Sequence, residues 1–307
     1  MVINMRKKLF IAASSLIAIL TIVTAFPLSR VKKSFLNTNA VAATKTAQRF
    51  TESGRTVYVY AQKKNLHSKR KIPLVLYLNS TGGDPRKEPI STGWAKLAKE
   101  KNFIVVSPDY DNAATYSEVP FFMKIVKAAK KRYNIDNRRV YVLGFSNGGA
   151  SAVALTSTHP KTFAGIAAYG WMVDLEKNKG YQMPFQVVAG SREATEYDSN
   201  NNPMVRIDER RAIRELLIMN KMISPSTKAN YAKVPYWGYQ PDQNFSRKVD
   251  SRRWTINNYK KDGYRYPFVQ FILIDGAEHV PHRSEASYSW NFLRHFYRNS
   301  QGMIIEK

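Results

Sequence analysis

One serine set among glycines, a handful of histidines and a few well-spaced acids are the side chains in this sequence suited to nucleophilic catalysis, and no cysteine competes with them. Gly144-Phe145-Ser146-Asn147-Gly148-Gly149 follows Arg139-Val140-Tyr141-Val142-Leu143 and precedes the small-residue stretch Ala150-Ser151-Ala152-Val153-Ala154. A serine at the tip of a tight strand-to-helix turn needs small residues two positions to either side, because the crowded backbone leaves no room for a Cβ. Gly144 and Gly148 meet that need. G-x-S-x-G alone recurs by accident. A β-branched, aromatic strand before it and a helix-compatible run after it turn the pattern into a predicted nucleophile elbow.

A serine hydroxyl is a poor nucleophile at neutral pH, so Ser146 requires a base to take its proton and an acid to orient that base. Histidine is the base of choice, and the chain has five. His67 precedes the first long strand, His159 is carried away from the tip along the elbow helix, and His295 sits beside Phe292 and Phe296 as a packing residue. His279 and His282 remain, in the loop after the strand-like run 268–274. His279 is favoured as the base, with His282 at the rim. The acid belongs after the run ending at Ala189-Gly190, where Glu193 comes first and Glu196 and Asp198 share the loop. Asp275 and Glu278 are weaker candidates, close to the histidine in sequence. The resulting order, serine then acid then histidine, is one of those known for such triads.

The developing oxyanion needs two N–H donors. Asn147, directly after the nucleophile, supplies one, and Ser80 or Thr81, in the polar loop after Leu78, supplies the other. No H-x-x-x-H, H-E-x-x-H or cysteine-based ligand set is present, so neither a metal nor another cofactor is expected.

The elements that must position these residues alternate. Residues 49–51 and 56–60 flank Ser53-Gly54 as a hairpin. Strands are predicted at 73–78, 103–106, 140–143, 163–168, 185–189 and 268–274, and helices at 94–101, 119–133, from the elbow to about 158, and at 284–298. Several strands are continuous apolar runs, so the fold class is α/β, a doubly wound, mainly parallel sheet covered on both faces. Residues 194–262 break the rhythm with a polar, basic, Tyr- and Trp-rich segment holding one helical stretch near 209–221. Its position before the last strand predicts a lid-like insertion whose aromatics mainly pack it onto the body.

The first 45 residues carry seven Lys or Arg and no acid. Arg6, Lys7 and Lys8 precede an apolar run from Leu9 to Phe26, which reads as a signal peptide or a membrane anchor plus linker, leaving 46–307 as the domain. Either form makes the protein extracellular or associated with the cell envelope. The chain's formal charge is +25, and outside the leader 41 basic side chains still face 23 acidic ones. Such a surface would concentrate the protein near anionic envelope polymers. The basic residues are spread along the chain without a recognition motif, which argues against nucleic acid.

Tyr133-Asn134-Ile135-Asp136-Asn137-Arg138-Arg139-Val140-Tyr141-Val142-Leu143-Gly144-Phe145-Ser146-Asn147-Gly148-Gly149, with Phe103-Ile104-Val105-Val106-Ser107-Pro108-Asp109 and Trp290-Asn291-Phe292-Leu293-Arg294-His295-Phe296, resembles the α/β-hydrolase esterases grouped with polyhydroxybutyrate depolymerases, feruloyl esterases and acetylxylan esterases. The similarity runs from about 71 to 170 and again from about 268 to 298. It implies an α/β-hydrolase fold with Ser146 as nucleophile, His279 as base and Glu193 as acid, where relatives usually carry aspartate. Asn79-Ser80 stands where the group has His-Gly, and 194–262 aligns with nothing. The function expected is an exported serine esterase, acting on feruloyl, acetyl or small aryl esters, free or linked to polysaccharide, through an acyl-enzyme. The alternatives are a serine peptidase or acyltransferase with the same triad, or a non-catalytic envelope-binding protein on this scaffold.

Overall fold

The computed structural model describes residues 48–113, 115–175, 180–193 and 196–307. The leader and linker expected over 1–45 lie outside them. Near the amino end, β1 (Gln48–Glu52) and β2 (Arg55–Tyr60) form the expected hairpin, turning through Ser53 and Gly54 at φ 51° and 77°. Positive φ at both central residues suits the right-handed twist of the strands they join. A short helix, α1 (Lys63–Leu66), leads into β3 (Ile72–Leu78), all of whose side chains are buried. After α2 (Glu88–Ser91) and α3 (Trp94–Glu100) comes β4 (Ile104–Pro108), buried throughout as well. Then follow α4 (Val119–Arg132), β5 (Ile135–Phe145), α5 (Asn147–Thr158), β6 (Gly165–Tyr169) and β7 (Phe185–Gly190).

The β-branched runs read from the sequence are thus the strands of a sheet with helices on both faces, which is why they are apolar without alternation. The sheet has ten strands, and its parallel heart runs β4-β3-β5-β6-β7-β12, where β12 is Val269–Ile274. Strand order reverses between β3 and β5, and at such a switch point the loops at the carboxyl ends part to leave a crevice. Ser146 stands at the end of β5, on that crevice. The elbow helix α5 is buried along all but its last residue, and its run of Gly, Ala and Ser lets it lie close against β5 and β6.

The segment 194–262 departs from the expectation of a lid. Its hairpin of β10 (Gln243–Val249) and β11 (Arg252–Tyr259) joins the sheet, β11 pairing antiparallel with β12 along its length. Trp254 and Ile256 are buried, with Trp254 against Tyr288 at 4.9 Å. The alternation was masked because β10 is an edge strand, solvent-exposed and charged, as edges that avoid further pairing are. Earlier in the segment, β8 (Glu196–Tyr197) and β9 (Pro203–Met204) make a short hairpin, and α6 (Arg210–Met219) buries Ile213, Leu216 and Leu217. Tyr236 and Trp237 are buried, Trp237 lying 4.7 Å from Phe271. The aromatics therefore do pack the segment onto the body.

The closing helix is shorter than predicted. α7 (Glu285–Leu293) stops before a hairpin of β13 (Phe296–Arg298) and β14 (Ile304–Glu306), because Arg298 turns inward to donate to the carbonyls of Phe163, Pro160 and Gly302. Trp290 of α7 stacks on Phe103 at 4.0 Å and meets Tyr141 edge-on, locking the helix over the sheet.

Candidate active site

Ser146 sits at φ 55° and ψ −125°, a region a non-glycine residue enters at a cost of about 1–3 kcal/mol. The surroundings enforce it. A Cβ on Gly148 would lie 2.1 Å from the Leu78 carbonyl oxygen, and one on Gly144 would lie 2.4 Å from the Gly148 backbone. The Ser146 N–H donates to Tyr169 O at 2.7 Å, fastening the elbow to the end of β6.

His279 Nε2 is 2.8 Å from Ser146 Oγ, and His279 Nδ1 is 3.1 Å from Glu193 Oε2. The other carboxylate oxygen of Glu193 accepts the Gly190 N–H at 2.8 Å, and its side chain is only 5% exposed. One oxygen is thus anchored and the other free to take Nδ1–H, which leaves Nε2 to accept the serine proton. Residues 133 and 86 positions apart from His279 meet there because the ends of β7 and β12 are laced together. Gly276 N–H donates to Ser191 Oγ at 2.8 Å, Arg192 N–H donates to Ala277 O at 2.9 Å, and a Cβ on Gly190 would stand 2.4 Å from that same carbonyl oxygen. The imidazole lies against the Phe145 ring, with Gly170 beneath it at φ 71°, where a Cβ would approach Cε1 to 2.8 Å.

The other candidates fall away on geometry. Glu196 pairs with Arg210, and Asp198 accepts from the N–H groups of Asn200 and Asn202 in an exposed turn. Asp275 faces Arg253 at 3.6 Å, and Glu278 is exposed near Arg192. His282 is half-buried beside Trp254, its pKa lowered by burial and then by Arg252. His295 stacks on Tyr266 at 3.6 Å, and His159 follows α5 with its ring against Thr158.

Of the oxyanion residues, Asn147 opens α5, where N–H groups have no intrahelical acceptor. Ser80 is different: its N–H donates to Glu88 Oε1 at 3.1 Å and its hydroxyl to Oε2 at 2.8 Å. The Ser80 N–H is therefore engaged, which corrects its candidacy as a donor, while the Thr81 N–H has no acceptor among the described residues. Sequence reasoning passed over Glu88, Asn112 and Gly170. Glycine after a strand was a visible signal for Gly170, whereas nothing local marked the other two.

Two buried carboxyls sit near Glu193. Burial pushes Glu209 up to about 8, against the Met172 N–H that it accepts at 3.1 Å, and pushes Glu285 well above the ordinary carboxyl range. Among the described residues no group of three or more His, Asp or Glu could hold a metal. A cavity of about 460 Å³ lies between the 202–241 stretch and β10–β12, with Ser191 and Asp275, from the loops after β7 and β12, in its wall.

A sequence model of the prolyl oligopeptidase family matches residues 98–216. A bifunctional acetylxylan esterase/xylanase from Neocallimastix patriciarum is 36% identical over 104 residues, which is 32% of this chain and 15% of that protein. The chain thus spans about one seventh of the curated relative it matches. Among solved structures, an acetyl xylan esterase from Aspergillus awamori superposes with a TM-score of 0.54 at 15% identity, covering 81% of this chain and 99% of the other. Poly(aspartic acid) hydrolase-1 from Sphingomonas sp. KT-1 gives 0.50 at 11% identity, covering 81% and 98%. The fold is that of the α/β-hydrolases, and these relatives bear out the likeness to the esterase group read from the motifs.

Proposed function

We propose that this chain is a serine carboxylic-ester hydrolase working through an acyl-enzyme. The observation that carries the reading is the continuous line of hydrogen bonds from Ser146 Oγ through both ring nitrogens of His279 to the covered carboxylate of Glu193. Ser146 Oγ attacks the ester carbonyl carbon as its proton passes to His279 Nε2, and Glu193 balances the imidazolium. The N–H groups of Asn147 and Thr81 hold the oxyanion. Collapse expels the alkoxide, which takes the proton from Nε2. Water then repeats the sequence on the acyl-serine, freeing the acid and restoring Ser146.

Feruloyl, acetyl and small aryl esters, alone or carried on polysaccharide, are the substrates this reading favours. The apolar, basic-headed leader supports export or anchoring at the envelope, and the cationic surface supports electrostatic association with anionic polymers there. Purified protein should turn over p-nitrophenyl acetate and methyl ferulate and take up one fluorophosphonate at Ser146, with Ser146→Ala inactive in both. Equal turnover by the alanine variant overturns the reading. The prolyl oligopeptidase match favours a second one, a serine peptidase using the same residues. Peptide turnover exceeding ester turnover would decide for it.

A further inference from the structure

The loop after β3 is gripped from two sides. On the inner side Glu88, only 8% exposed, accepts the Tyr77 hydroxyl at 3.0 Å, the Ser80 N–H at 3.1 Å and the Ser80 hydroxyl at 2.8 Å. A Cβ on Gly83 would fall 2.2 Å from Glu88 Oε2, so the loop is moulded onto the carboxylate. On the outer side the half-buried Asn112 accepts the Gly82 N–H at its Oδ1, 3.2 Å away, and the Thr81 hydroxyl at its carbonyl, 3.3 Å away. That same carbonyl accepts the side-chain amide of Asn147, whose Oδ1 is held by the Thr115 hydroxyl at 2.8 Å. Gly83 N–H goes to Ser80 O at 2.8 Å. Three of the four consecutive N–H groups from Ser80 to Gly83 are thereby engaged, and Thr81 is left over.

Oxyanion donors contribute most when they are fixed before the reaction, since any reorganisation is subtracted from the stabilisation they give. A loop containing Gly82-Gly83 has little stiffness of its own. We propose that Glu88 and Asn112 are positioning residues that hold Thr81 N–H and the Asn147 residue in register as a two-donor oxyanion hole; the proposal rests on the esterase reading above. Glu88 consumes the Ser80 donor and so sets which N–H faces substrate. Asn112 ties the loop to the residue that follows the nucleophile.

The test uses the full chain, p-nitrophenyl acetate as substrate and an aryl trifluoromethyl ketone as inhibitor, which adds Ser146 Oγ to give a bound oxyanion. Glu88→Leu keeps a buried side chain of similar size and removes both acceptors. Glu88→Gln keeps an acceptor for Ser80 N–H and Tyr77 O–H and offers an N–H to the Ser80 hydroxyl. Asn112→Ala removes the Oδ1 that accepts Gly82 N–H and leaves the backbone carbonyl that Thr81 and Asn147 donate to, at a half-buried loop position outside the core. Losing the alignment of one donor should lower kcat by about 10- to 100-fold in Glu88→Leu and weaken the ketone by a matching factor, with KM within about threefold. Asn112→Ala, which frees Gly82 N–H alone, should move the same way by a smaller factor, and Glu88→Gln should recover most of the activity. Folded Glu88→Leu and Asn112→Ala proteins with wild-type kcat and ketone affinity overturn the proposal, as does lost kcat with unchanged ketone affinity. Should Glu88→Leu fail to fold, Asn112→Ala and Ser80→Ala decide by the same readouts. A wild-type protein that neither hydrolyses ester nor takes up fluorophosphonate refutes the esterase reading instead, a distinct result.

Discussion

Glu193 and Gly170 show how single residues fix the surroundings of the His279 ring. Glu193 spends one oxygen on Gly190 N–H and presents the other to His279, so an amide in its place keeps only one acceptor and turns an N–H toward Nδ1, which favours the tautomer whose Nε2 cannot take the serine proton. Glu193→Gln is expected to lower kcat on p-nitrophenyl acetate by about 10²- to 10⁴-fold with KM near the wild-type value, read from steady-state kinetics. Gly170 acts by absence. An alanine there meets left-handed backbone, worth about 1–2 kcal/mol, and pushes on the His279 ring. Gly170→Ala should lose at least about tenfold in kcat and, at that strain, melt a few degrees lower by calorimetry.

Among the elements, the 196–221 stretch carries the most testable property. It fastens the loop after β6 to α6 through carboxylates, Glu209 taking Met172 N–H and Glu215 taking Leu175 N–H. Glu209 lies among Arg206, Asp208 and Glu193, and burial is the leading cause that brings it to about 8 from the ordinary 4.5. The native carboxyl keeps its proton where the unfolded one has lost it. Stability from this group is thus fully present below pH 4.5 and is lost as pH rises toward 8, at about 1.4 kcal/mol per unit between them. Denaturant unfolding at pH 5, 6 and 7 should show Glu209→Gln gaining on wild type at each step; parallel curves would refute it. The β10–β11 hairpin is equally structural. Trp254, 1% exposed against Tyr288, should cost about 3–5 kcal/mol when cut to alanine.

For the whole molecule, charge is the outstanding quantity. With 48 basic and 23 acidic side chains, long-range steering should favour anionic esters. The ratio of kcat/KM for an aryl hemisuccinate to that for the neutral acetate should fall as salt rises from 10 mM to 1 M, because the screening length contracts from about 30 Å to about 3 Å. A ratio indifferent to salt would remove steering from the account.

By itself the chain determined what short-range physics governs. Steric exclusion of a Cβ marks Gly144 and Gly148, unbroken apolar runs mark strands covered on both faces, and together they place Ser146 on a tight turn after a strand of a mainly parallel sheet. Those constraints act within a few residues, so they survive in the linear order. Which of Glu193, Glu196 and Asp198 reaches the imidazole, whether Ser80 or Thr81 keeps a free N–H, and whether 243–259 covers the crevice or extends the sheet were decided by partners tens of residues away. Edge strands add to this, because their exposed faces erase the alternation that would announce them. Hydrogen bonds and strand pairs of that range depend on where packing brings distant backbone to rest, and no local pattern encodes it.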